Sequence, residues 1–184
     1  MRIIAGSARG RSIEAPDGKG TRPITDRAKE AIFNMVMSQG GVQGTTVVDL
    51  YAGSGSFGLE CLSRGAGRVI FVEQARPATD TIRVNLDRLG FADRATVTHG
   101  AVEAVVAQLP PADLAFCDPP YAIDPWPDLL ARVDAELLIG HAEHDIELTG
   151  RWEEVRRRTY GRSRIVIARR AEGQSHHPIG AAPD

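Results

Sequence analysis

The run Val47-Val48-Asp49-Leu50-Tyr51-Ala52-Gly53-Ser54-Gly55-Ser56-Phe57-Gly58 restricts the fold more than any other stretch of the chain. An apolar segment passes into small residues and then into a helical pattern. Gly53, Gly55 and Gly58 have the spacing G-x-G-x-x-G, which turns a buried strand tightly into a helix and lets backbone approach a ligand. Such a turn needs a parallel sheet around it, and the following residues supply one. Strand patterns at 69–72, 95–98, 114–117 and 136–139 alternate with helical patterns at 57–64, 77–89, 102–109 and 126–134. Strands alternating with helices predict an α/β fold, a mostly parallel sheet covered on both faces. Residues 154–159 and 163–168, joined through Gly161, predict an antiparallel hairpin that ends the sheet.

Residues 1–16 read as a short two-stranded piece turning at Ser7-Ala8-Arg9-Gly10. A loop over 17–23 and a helix over 25–37 follow, with Ala28, Ile32, Met35 and Val36 on the helix's apolar stripe. We expect 1–40 to form an N-terminal extension, 41–170 the α/β domain, and 171–184, which has no apolar period, a disordered tail. No apolar run approaches the roughly 18 residues of a membrane span, and the first residues lack a signal-peptide core. Cys61 and Cys117 each lie in an apolar stretch. They read as buried thiols of a reducing, cytoplasmic compartment. His141 and His144 have no Cys or third His at ligand spacing, so no metal site is expected.

Glu73 follows the second apolar run, 20 residues after Gly53. A carboxylate there can accept both hydroxyls of a ribose, which predicts a nucleoside-type cofactor. Asp49 bears on which one. An acid at this strand end would repel a pyrophosphate drawn to the helix N-terminus and attract an ammonium, favouring S-adenosylmethionine over NAD. Asp118-Pro119-Pro120-Tyr121 directly follows the fourth strand. Two prolines fix φ and remove two N–H donors. The Asp118 carboxylate and Pro119 carbonyl remain as a rigid acceptor pair beside the Tyr121 ring. An exocyclic base amine is a poor nucleophile because its lone pair is delocalised. Two acceptors favour its pyramidal form, and the ring can stack on the base. Charge is unevenly spread: residues 1–40 carry net +3, 41–150 net −9 and 151–170 net +6. That distribution predicts an anionic partner touching the ends. Arg156-Arg157-Arg158 stays open to two readings, RNA contact or an edge strand blunted by charge.

The glycine loop and the Asp118–Tyr121 tetrapeptide together resemble amino-group methyltransferases dependent on S-adenosylmethionine. The strings Met1-Arg2-Ile3-Ile4-Ala5-Gly6, Thr21-Arg22-Pro23-Ile24-Thr25-Asp26-Arg27 and Glu30-Ala31-Ile32-Phe33-Asn34 narrow the resemblance to the RsmD family. Its members methylate guanine N2 in bacterial small-subunit ribosomal RNA. The resemblance covers residues 1 to about 170 and implies a Rossmann-like class I methyltransferase with an N-terminal β-hairpin extension. It implies that Asp49, Ala52, Gly53, Ser54, Gly55, Ala101 and Val102 line the cofactor and that Glu73 holds its ribose. Asp118, Pro119, Pro120 and Tyr121 would grip the target base, and Arg2, Arg9, Arg11, Arg22 and Arg27 the RNA. The expected partner is ribosomal RNA, whether free, in a partly assembled subunit or in the mature ribosome, met by a cytoplasmic monomer; the target base has to be unpaired or flipped. The tetrapeptide is shared with adenine, cytosine and glutamine methyltransferases, so those targets, and a non-catalytic RNA-binding relative, stay open. Two residues depart from the family pattern. Ala101 stands where an Asp or Asn commonly meets the adenine amine, leaving that role to Glu103 or a water. His141 stands where relatives often carry Glu, and is read as structural.

Overall fold

The computed structural model of the chain describes residues 1–16 and 26–171. Helix α1 (Asp26–Met37) precedes an alternating series: β1 (Thr46–Leu50), α2 (Ser56–Ser63), β2 (Arg68–Glu73), α3 (Arg76–Leu89), β3 (Ala95–His99), α4 (Val102–Val105), β4 (Ala112–Cys117), α5 (Trp126–Arg132) and β5 (Ala135–Ala142). Strands β6 (Trp152–Tyr160) and β7 (Ser163–Arg170) close it. The seven strands form one sheet in the order β3-β2-β1-β4-β5-β7-β6. Strands β1 to β5 run parallel, and β7 enters antiparallel between β5 and β6. This is the expected mostly parallel sheet with a terminal hairpin. The loop expected over 17–23, with Arg22, and the tail from 172 onward lie outside the described residues, as does the side chain of Arg27.

Two elements differ from expectation. The helix expected over 102–109 is one α-turn, α4, followed by a 3-10 turn at Val106–Gln108. Strand β5 runs past the strand expected at 136–139, because His141 and Ala142 pair with Ile165 and Arg164 of β7. A partner from later in the chain supplies that extension.

Alternation along the strands divides the sheet into two faces. Val47, Phe71, Phe116 and Ile139 join the core under α1, α2 and α3. Leu50, Val72, Cys117 and Leu138 join the core with α4 and α5. On the first face Phe33, Phe57 and Phe116 stack from α1 through α2 to β4, with centroids 4.9 Å and 3.9 Å apart. Each such pair adds about 0.5–1.5 kcal/mol beyond its area burial. A Cβ at Gly58 would overlap the Phe71 ring, so the third glycine of the loop serves close helix-on-strand packing.

Residues 1–16 reverse direction as expected but pair only briefly. Arg2 and Ser12 form an isolated antiparallel bridge. The Ile3 N–H donates to the Arg11 carbonyl at 3.0 Å and the Ile13 N–H to the Met1 carbonyl at 2.9 Å. The turn is not confined to residues 7–10; it opens at Gly6, with φ 82°, because α2 takes the donors a longer ladder would use. The Ile4 and Ala5 N–H groups donate to the two Glu60 oxygens at 2.8 and 2.9 Å. The Ser7 N–H reaches the Ser63 carbonyl at 2.7 Å, and the Ala8 N–H reaches Ser63 Oγ at 3.0 Å. On the other side, the Glu14 N–H donates to Asn85 Oδ1 at 2.8 Å, and Asn85 Nδ2 donates to the Glu14 carbonyl at 3.0 Å. The N-terminal hairpin is thus fastened across α2 and α3.

A Cβ at Gly6 would overlap the Ser63 carbonyl, whereas one at Gly10, also at positive φ, faces open space. Gly6→Ala is expected to lower stability by about 2–4 kcal/mol, backbone strain plus overlap. Gly10→Ala should lose only about 1 kcal/mol, the strain alone. Urea unfolding compares them, and equal losses would show that the hairpin is not held against α2.

Candidate active site

The sheet order reverses at β1, which pairs with β2 on one side and β4 on the other. Ligands of open α/β sheets bind beyond the carboxyl ends of strands at such a point. The glycine loop lies there. It is closed by the Ala52 N–H on the Val72 carbonyl at 3.0 Å and the Gly55 N–H on the Ala52 carbonyl at 2.7 Å. Its glycines divide the work. A Cβ on Gly55 would press against Ile82 and Phe71, while one on Gly53 would have only the Tyr51 carbonyl, at 4.0 Å. Gly53 is therefore the position open to a ligand, with half-buried Ala52 and Ser54 on either side.

Glu73 ends β2 and leans across to this loop. Its Oε2 accepts the Gly53 N–H at 2.8 Å, and its Oε1 accepts the Ala75 N–H at 2.8 Å. Two fixed donors orient the carboxylate, and each oxygen keeps a further lone pair for a ribose hydroxyl. Asp49 is 1% exposed. Its Oδ2 accepts the Gly58 N–H at 2.9 Å, capping the first turn of α2, a role the sequence did not reveal. Burial pushes the Asp49 carboxyl well above the ordinary range, and the Asp118 and Glu73 charges add to that; the Gly58 N–H and the charge of Lys29 oppose it. Lys29 of α1 is itself buried, at 2% exposure. Asp49, Glu73 and Asp118 thus bring three carboxyl groups close together beyond β1, β2 and β4.

Across the crevice, Asp118 follows β4. The parallel register pairs Cys117 with Gly140, so the next residues, Asp118 and His141, fall side by side. His141 Nδ1 lies 2.7 Å from Asp118 Oδ1. The imidazole side chain is 3% exposed and the carboxylate 26%, so the pair joins a buried ring to an acid at the crevice surface. His141 Nε2 is buried with no partner among the described residues. Beyond Asp118, Pro119 is buried and Pro120 exposed. The Ile123 N–H closes a turn onto the Pro120 carbonyl at 3.1 Å. Tyr121 is 47% exposed.

Ala101 caps α4 and Val102 begins it beside the end of β3, Ala101 half-buried and Val102 buried. The Gly100 N–H bonds the Glu73 carbonyl at 3.0 Å, which ties this segment to the end of β2. Glu103 Oε1 accepts the Tyr51 hydroxyl at 2.6 Å, joining the glycine loop to α4. Burial, and then the bond to Glu103, push the Tyr51 phenol far up. Tyr51 has φ 58°, alone among the described non-glycine residues in that region.

The arginines expected to meet RNA are not equivalent. Arg2 and Arg9, both exposed, line a cavity of about 200 Å³ together with Ile3, Ile4, Gly10 and Glu30. Met1 Sδ, on the same hairpin, is 4.0 Å from the Ser54 hydroxyl, so the hairpin borders the glycine loop. Arg11 differs: its guanidinium donates to the Arg88 and Leu89 carbonyls at the C-terminus of α3, where a cation also meets the helix dipole. Arg11 is thereby held on α3. His141 and Glu60 were missed as partners by sequence reasoning. For Glu60 a signal existed, because a helix that is apolar on every side, as Phe57, Leu59, Cys61 and Leu62 make α2, has to bury its one acid.

A parallel sheet that ends in a reversed β7, with its crevice at β1 and β4, is the architecture of Rossmann-like methyltransferases. A model of the family described as conserved hypothetical protein 95 matches residues 1–169, and the chain belongs to that family, the RsmD family of the resemblance above. YlbH of Bacillus subtilis, whose name assigns it provisionally to the rRNA methyltransferases, is 35% identical over 91% of this chain and 97% of its own. Ribosomal RNA small subunit methyltransferase D of Escherichia coli is 35% identical over 66% of this chain and 60% of its own. The solved structure of yhhF from Escherichia coli, provisionally named a methyltransferase, superposes with a TM-score of 0.82 at 28% identity. That superposition covers 93% of this chain and 98% of the other.

Proposed function

We propose that this methyltransferase moves a methyl group from S-adenosylmethionine to the exocyclic N2 amine of a guanine in small-subunit ribosomal RNA. The observation that carries the reading is the pairing of two sites across one crevice: an oriented ribose acid, Glu73, at the glycine loop, and an acceptor, Asp118, beside an exposed Tyr121 on the facing strand. The names of YlbH and the Escherichia coli enzyme support ribosomal RNA as the substrate class. A cytoplasmic location and a monomeric enzyme belong to the same reading, with the RNA met either free or in a partly assembled subunit. No described helix is long and apolar enough to cross a membrane.

The crevice fits the cofactor. Gly53 leaves open space at the loop, Glu73 is oriented for ribose hydroxyls, and the acidic surroundings of Asp49 suit a cation. When bound, S-adenosylmethionine supplies an electrophilic sulfonium methyl with a good leaving group. The protein's part is mainly positioning. Tyr121 stacks on the flipped base. Asp118 and the Pro119 carbonyl accept the amine hydrogens and hold the lone pair toward the methyl. As the nitrogen–carbon bond forms and the sulfur–carbon bond breaks, the amine becomes acidic, and its proton passes to Asp118 or water. Arg2 and Arg9, on the hairpin beside the glycine loop, hold the RNA backbone. Ala101 lacks the usual side chain for the adenine amine, leaving the Val102 N–H to meet the ring and Glu103 to approach the amine.

Incubation with labelled S-adenosylmethionine and either naked 16S RNA or subunit assembly intermediates, followed by mass spectrometry of nucleosides, tests this. We expect N2-methylguanosine in one of the two. Label on adenine, cytosine or protein glutamine would replace the target, and cofactor binding without transfer would reduce the chain to a non-catalytic relative. Glu73→Ala is a sharper probe of the cofactor half. It removes two acceptors and also releases the loop at Gly53, so affinity should fall by up to about 3 kcal/mol, roughly a hundredfold. Unchanged affinity by calorimetry would take Glu73 out of the site.

A further inference from the structure

We propose that His141 is a positioning residue for methyl transfer: its Nδ1–H clamps the Asp118 carboxylate so that Oδ2 faces the target amine. This rests on the assignment of Asp118 to the target base above. A carboxylate oxygen only accepts, so at 2.7 Å the hydrogen sits on His141 Nδ1. The bond is charge-assisted, a strong class among side-chain contacts. It uses a lone pair of Oδ1 and leaves Oδ2 as the oxygen for the amine.

The clamp explains an otherwise unfavourable arrangement. A nearly buried imidazole whose Nε2 has no partner among the described residues carries a desolvation penalty that an aliphatic side chain of similar size would avoid. The sheet accepts the ring at the one register position where its other nitrogen meets the acid beside the crevice. His141 is held there from both sides, by β4 and by its pairing with Ile165 of β7. The carboxylate, by contrast, is on a partly exposed loop and has no other fixed donor to its side chain among the described residues. Without the imidazole, Asp118 would rotate freely about its side-chain bonds and present either oxygen to water. Small misplacements of this kind cost rate rather than binding.

Two variants separate this role from packing. His141→Asn keeps an N–H donor near the Nδ1 position, whereas His141→Leu removes it and fills the space. We expect His141→Leu to lower kcat about 10²-fold, with the KM for RNA and the affinity for S-adenosylmethionine little changed, and His141→Asn to restore most of that loss. In the wild-type protein, nitrogen-15 NMR should place the ring hydrogen on Nδ1, with a proton resonance that moves strongly in Asp118→Ala. Equal impairment in both His141 variants, wild-type kcat in His141→Leu, or a hydrogen on Nε2 would each overturn the inference. Wild-type protein that binds S-adenosylmethionine yet methylates no RNA would instead overturn the substrate reading, and this inference with it. Transfer by the wild type with no response to His141→Leu removes the clamp alone.

Discussion

Asp118→Ala is expected to lower kcat by about 10²–10⁴-fold, the range for a residue that manages a reacting proton, while the affinity for S-adenosylmethionine barely moves. The separation follows from position. Asp118 follows β4, with its Oδ1 against His141 and its side chain 26% exposed. Glu73, proposed to hold the ribose, and the open glycine, Gly53, lie on the β1–β2 side. Steady-state methylation of RNA and calorimetry with the cofactor read the two halves independently. A mutant that turns over within a few-fold of wild type would place the target amine elsewhere. One that loses cofactor affinity would mean that Asp118 belongs to the methionine end of the cofactor site.

Glu60→Ala should cost about 3–5 kcal/mol of stability, the scale for breaking a buried charged pair. At roughly 2–4 °C per kcal/mol for a chain of this size, the melting temperature should fall by more than about 6 °C. Glu60 is 0% exposed and answers three donors at once: the Ile4 and Ala5 N–H groups and Arg64 Nε. Its loss leaves all three without that acceptor and frees Arg64, whose guanidinium lies 4.2 Å over the Phe33 ring. Glu60→Gln keeps a single acceptor oxygen and should lose about half as much. Equal melting temperatures for wild type and Glu60→Ala would show that the hairpin is held by its apolar side chains, Ile3, Ala8 and Ile13, and not by this carboxylate.

Much of the architecture is legible because it is local. Val47 to Gly58 encodes a strand, a turn and a helix within twelve residues, and Gly90 ends α3 in the left-handed conformation that its residue type predicts. The Gly161 turn likewise joins β6 and β7 where expected, with Tyr160 paired to Ser163. What stayed hidden depends on register between distant segments. His141 meets Asp118 only because β4 and β5 align Cys117 with Gly140, and no pattern inside either strand states that alignment. Asp49 looked like a free acid aimed at a ligand; its bond to Gly58 depends on how α2 folds back over β1. Arg2, Arg9 and Arg11 are indistinguishable by composition. Only the docking of the hairpin on α3 separates Arg11, which binds helix carbonyls, from the two beside Glu30.

The fastening of the hairpin also sets an order of assembly. Ile4 waits for Glu60, 56 residues downstream, and Glu14 for Asn85, 71 downstream. Closing loops of that length costs about 1.5 kcal/mol more than closing a ten-residue one, a penalty recovered only after α2 and α3 have settled on the sheet. During synthesis, residues 1–16 leave the ribosome before any surface exists to receive them. The basic segment that ends up beside the glycine loop is therefore among the last to become fixed. Amide exchange at Ile4, Ala5, Ser7 and Ala8 should slow only after the amides of β1 and β4 are already protected.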